Sequence, residues 1–127
     1  MSASPLPFSI VLRFPAVAIS QAALEEALGL PLGRFGPART GTLSYAQINI
    51  SEDGDVWASL ITILDCIGPA INDMVRAARI GCPWADVAIE LSEEKLSTSI
   101  KVPSIVARSL GQWNIDLEVS VYRTGPD

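Results

Sequence analysis

The chain has 127 residues, 49% of them apolar and 18% charged, with a formal net charge of −5. That length suits one domain with a sizeable core, and the apolar fraction excludes a disordered chain, which combines low hydrophobicity with high charge. The acidity argues against nucleic acid as a partner, since phosphates need a basic footprint; the absence of histidine removes Ser-His-Asp and Cys-His pairs and the usual zinc sites.

Phe8, Ile10, Leu12 and Phe14 alternate with Ser9, Val11 and Arg13, the period of a half-buried strand, which Pro15 should end. Arg13 and Pro15 also interrupt the only N-terminal apolar run, and no small-residue cleavage site follows a basic head, so a cytoplasmic chain is expected. Ser20 is a good N-cap for a helix over Gln21–Leu28, with Ile19 stapled to Leu24 and Gly29 as its stop. Residues 29–42 hold four of the nine glycines and read as one long irregular connection. Arg34 and Arg39 in that stretch are candidate anion ligands, although no Gly-x-x-x-x-Gly-Lys pattern accompanies them.

From Tyr45 to Ile50 the alternation returns, with Ala46, Ile48 and Ile50 on one face and Tyr45, Gln47 and Asn49 on the other. Asp53-Gly54 is a hairpin signal into an expected central strand over Val56–Leu64, rich in β-branched and aromatic residues. Gly68-Pro69 should then open a helix to Ile80, with Ile71, Met74, Val75 and Ala78 as its apolar stripe and Gly81 as a left-handed cap. The stretch 56–81 is the expected folding centre. Cys66 and Cys82 would lie at opposite ends of that helix, about 20 Å apart and too far to bridge. Both should be free thiols, Cys66 as a small core residue.

Ala85, Val87, Ile89 and Leu91 point one way and Asp86, Ala88 and Glu90 the other. A turn over residues 92–95 leads to a more polar strand at Leu96–Val102. Pro103-Ser104 begin a short helix that offers Ile105, Val106 and Leu110 to the core and stops at Gly111. The last strand turns Ile115, Leu117, Val119 and Val121 inward, with Asp116, Glu118, Ser120 and Tyr122 opposite. The order β-α-β-β-α-β-β-α-β predicts a single α+β domain over residues 1–127. Its antiparallel-rich sheet should carry helices on one face around a ferredoxin-like core, extended by the final β-α-β. No apolar run reaches the roughly 20 residues that span a bilayer, so no membrane partner is expected.

Charge is unevenly distributed. Residues 1–50 carry three arginines against two glutamates; residues 51–127 carry six cations against twelve anions. Such acidity serves solubility and also suits a basic partner. Adjacent acids at Glu25-Glu26 and Glu93-Glu94 read as solvated, two isolated cysteines give no metal spacing, and Trp57, Trp84 and Trp113 read as packing. No cofactor, metal or enzymatic activity is expected. The outward acids Asp86, Glu90, Asp116 and Glu118 should share one open face with Tyr45, Asn49 and Tyr122, a mixture that attracts and anchors a basic protein.

The pattern Leu28-Gly29-Leu30-Pro31 after the first helix, Arg39-Thr40-Gly41, Trp57, and Asp116 to Tyr122 at the end resembles a family catalogued as domain of unknown function 4279. The resemblance spans about Phe8 to Tyr122 and implies a small α+β fold without assigned catalytic residues. By analogy with small acidic domains that lack catalytic groups, the leading expectation is an immunity protein that neutralises a basic toxin, such as a nuclease, by direct binding. Two alternatives are a small-molecule or anion-binding module that uses the 29–42 loop, and a structural homodimer joined through an edge strand.

Overall fold

A computed structural model of the chain describes residues 8–39, 41–92, 97 and 99–124. Its elements run β1 (Phe8–Val17), α1 (Gln21–Leu28), β2 (Arg34–Pro37), β3 (Ser44–Asn49), α2 (Val56–Arg76), β4 (Trp84–Ser92), α3 (Ser104–Gln112) and β5 (Asp116–Thr124). The strands form one sheet in the order β2-β3-β1-β4-β5. Three pairings are antiparallel, β2 with β3, β3 with β1 and β1 with β4, while β5 lies parallel to β4. The fold is α+β, and up to β4 its order is the ferredoxin-like split arrangement, with β1 inserted between β3 and β4. The sheet is mixed rather than antiparallel-rich, because α3 carries the chain back to start β5 in the same direction as β4.

Period-two alternation places the core. Ile10, Leu12 and Phe14 of β1 are buried with Ala46 and Ile48 of β3 and Ala85, Val87 and Ile89 of β4, and the helices cover that side. α1 has the caps its sequence predicts. The Ser20 hydroxyl accepts the Ala23 N–H at 3.1 Å, and Gly29 closes the helix at φ 76°.

The central assignment changes. Val56–Leu64 is the first half of α2, not a strand, and Asp53-Gly54 leads into its N-cap: the Asp55 carboxylate accepts the N–H groups of Trp57 and Ala58. Val56, Leu60, Leu64, Ile67, Ile71 and Met74 form one buried seam at spacings of three and four. Burial of that seam outweighs the strand preference of the β-branched residues between its members. By length and composition α2 is long and apolar enough to cross a membrane; here its seam is the core of the sheet's helix side. Pro69 lies inside α2 rather than at its start, and the helix ends at Arg76 with Ala78, at φ 58°, as the left-handed residue. Gly81 serves close approach instead. A Cβ there would lie 3.2 Å from Pro15, whose carbonyl accepts the Gly81 N–H at 2.8 Å. β1 accordingly continues past Pro15 to Val17 through a shift in register. Cys66 is exposed midway along α2 and Cys82 is exposed beyond it; both are free.

Residues 29–42 contain β2, so the stretch is not one irregular loop. Of the expected strand Leu96–Val102, residues 96 and 98 lie outside the described residues, and 97 and 99–102 take no strand conformation. The expected acids Glu93 and Glu94 also lie outside them. α3 buries Val106 and Leu110 but leaves Ile105 56% exposed, and Gly111 lies within it. β5 keeps the expected alternation, yet Leu117, Val119 and Val121, expected inward, are exposed on its helix side at the edge of the sheet.

Candidate functional site

Among the described residues the sheet's other side carries no helix, and the strands project a transverse row of side chains across it. Arg34 of β2 pairs with Gln47 of β3, Gln47 with Arg13 of β1, Arg13 with Trp84 of β4, and Trp84 with Asp116 of β5. By the same alternation, Tyr45 and Asn49, Asp86 and Glu90, and Glu118, Ser120 and Tyr122 face this open side. All seven residues expected to bind a partner are therefore on it.

They do not share one environment. Asp86 is 5% exposed. The Arg13 Nε–H donates to its Oδ2 at 2.9 Å, and the Ser120 hydroxyl donates to its Oδ1 at 2.9 Å. Arg13 Nη1 also donates to the Tyr45 hydroxyl and, at 3.3 Å, to Gln47 Oε1. The Tyr45 hydroxyl donates to Gln47 Oε1 at 3.0 Å, and Gln47 Nε2 donates to Asn49 Oδ1 at 2.9 Å. One polar chain thus crosses from β3 to β5. Burial weakens the protonated form of Arg13, but its bonds to Tyr45 and Asp86 outweigh that, and its pKa is raised above the ordinary arginine value. Asp86 is therefore not a free acid waiting for a partner, as period-two reading alone expects; its charge is matched within the sheet.

Above this network lies a groove of about 570 Å³ lined by Arg13, Arg34 and Arg39, with Pro37, Ala38, Tyr45 and Trp84 as its walls. These are the only three cations among residues 1–50, and the fold gathers them. β2 turns Arg34 outward because Phe35 packs half-buried on the core side. The approach to β2 is pinned: the Glu25 carboxylate accepts the Leu32 N–H at 3.0 Å, and the Gly33 N–H donates to the Gln47 carbonyl at 2.8 Å. Gly33 permits that approach, since a Cβ there would lie 2.9 Å from Asn49 Nδ2. The side chains of Arg34 and Arg39 are exposed and have no hydrogen-bond or ion-pair partner among the described residues.

Across β4 and β5 the face changes sign. Glu90, Asp116, Glu118 and Tyr122 are exposed there, and Trp84 Nε1–H donates to Glu118 Oε1 at 3.1 Å. Among the described residues no group of three His, Cys, Asp or Glu side chains is placed to hold a metal ion. Guanidiniums beside aromatic rings can bind a carboxylate or phosphate in bidentate fashion and stack on a planar group. Two members of the groove, Arg13 and Trp84, are absent from the sequence-derived candidates, although an arginine at an outward strand position was a visible signal. No protein-family model, curated protein or solved structure matches this chain.

Proposed function

We propose that this protein is a non-enzymatic binding module whose open sheet face captures an anionic group, held by Arg34 and Arg39 against Arg13. Support comes from two guanidiniums without partners among the described residues that converge on a third in one groove. A third arginine, held by Tyr45 and paired with Asp86, offers its remaining N–H groups with little conformational freedom to lose on binding. The volume falls in the usual range for small-ligand sites, roughly 300–1,000 Å³, and Tyr45 and Trp84 favour a ligand with a flat apolar part beside its charge.

Calorimetric titration with phenyl phosphate, benzoate and inorganic phosphate tests this reading. Saturable binding is expected, tightest for an aromatic anion, and weakened about tenfold or more, the equivalent of about 1.4 kcal/mol, by Arg34→Ala with Arg39→Ala. The absence of saturable binding by all three probes would refute it. A second reading, an immunity protein that holds a basic toxin, is favoured by the exposed Glu90, Asp116, Glu118 and Tyr122 on the other half of the face.

A further inference from the structure

The two edges of the sheet differ. β2 closes one edge with four residues that include Gly36 and Pro37, a short and proline-blunted margin. β5 ends the other with nine residues and neither proline nor lysine. Its helix-side row, Leu117, Val119 and Val121, is 37%, 45% and 54% exposed, and Ile105 of α3 and Tyr122 are exposed as well. These five are most of the exposed large apolar side chains among the described residues. Long unpaired edges with an apolar flank are templates for another strand, and proteins that do not use them blunt them.

We propose that β5 is the interface of a symmetric homodimer, paired antiparallel with β5 of a second copy so that two five-stranded sheets become one. The sequence of β5 is complementary to its own reverse. Full overlap of the nine residues places the two-fold axis at Ser120, and opposing residues then share a face, as an antiparallel ladder requires. On the helix side Val119 meets Val121 of the second copy, and Leu117 lies beside the stem of Arg123. On the open side Glu118 meets Tyr122, whose hydroxyl can donate to the carboxylate. No acid lies directly opposite an acid, although three of the nine residues are charged. A one-residue slip would set each apolar row against the other copy's polar row. The pairing draws Glu118 and Tyr122 of the acidic half into the seam and leaves Glu90 of β4 outside it.

Sedimentation equilibrium over a wide concentration range, with amide hydrogen exchange at its two ends, tests the interface in the intact chain. The expected result is a monomer–dimer equilibrium, with β5 amides slowing as concentration rises. Val119→Lys, at an already exposed position, should weaken dimerisation about tenfold or more, because each new lysine faces a valine of the other copy and loses solvent. Val119→Lys with Val121→Glu should restore it, since the overlap centred on Ser120 sets these two positions opposite each other twice. A strictly monomeric wild type would overturn the proposal, as would a dimer whose β5 exchange is independent of concentration. A folded Val119→Lys variant that dimerises as wild type does would also overturn it, and failure of the paired change to rescue would overturn the register.

Discussion

Arg13, Arg34 and Arg39 share a groove but not an environment, and truncation separates them. Arg13→Ala leaves the Asp86 carboxylate buried with Ser120 as its one remaining side-chain donor among the described residues. Because Arg13 is itself partly exposed, the expected loss is about 2–3 kcal/mol of unfolding free energy in urea melts, below that of a fully buried pair. Arg34→Ala and Arg39→Ala remove exposed side chains and should each move stability by less than about 0.5 kcal/mol. Equal losses at all three positions would contradict this division. Alternation in the sequence put Asp86 and Arg13 on the open face. It could not show that they meet, because 73 residues separate them and only the pairing of β1 with β4 brings them into reach. Arg34 and Arg39 could be picked out as neighbours in a glycine-rich stretch; only the fold brings the third cation, from β1, into the same groove.

At the level of elements, the ferredoxin-like order was legible even though two of its strands were assigned to the wrong residues. The strand expected at Val56–Leu64 is helix, and the strand that completes the hairpin is β2, hidden among the glycines and prolines of residues 29–42. Four residues are too few for alternation to register, and β2 is specified by its pairing with β3 rather than by local preference. In α2 the helical signal stands beside the strand-favouring residues: Val56, Leu60 and Leu64 already keep helical spacing with Ile67, Ile71 and Met74. Gly68 is the position where that helix meets α3. A Cβ there would collide with the indole ring of Trp113. Gly68→Ala should therefore destabilise by about 1–3 kcal/mol, against the gain of up to about 1 kcal/mol that alanine brings to an exposed helix. Trp113→Ala should relieve part of that loss, so that a double-mutant cycle gives a coupling energy above experimental error; additive effects would place the indole elsewhere.

For the molecule as a whole, the open face is divided by sign, with three arginines over β2 to β1 and exposed acids over β4 and β5. The division gives the two functional readings separate readouts. Asp116→Lys with Glu118→Lys should leave anion binding in the groove intact or tightened. If the acidic half holds a basic protein, the same change should weaken capture about tenfold or more and flatten its salt dependence. A titration with a basic nuclease at two ionic strengths checks this; unchanged affinity in the variant, with no salt effect in the wild type, would leave the acids without a binding role. Net acidity was readable from composition, but this polarity was not. The charges that create it come from β1, β2, β4 and β5 and from the segment after β2, and only the strand order brings them to one face.

The parallel pairing of β5 with β4 also has a temporal side. Every partner of β1, β2 and β3 has been synthesised by Ser92, whereas the outer edge of β4 waits for residues up to Thr124. At roughly 5–20 residues per second, a nascent chain would carry that edge unpaired for a few seconds. The last strand of the sheet to emerge is then the lid on a strand already in place, and a ribosome stalled between α3 and β5 would present that edge of β4 unpaired.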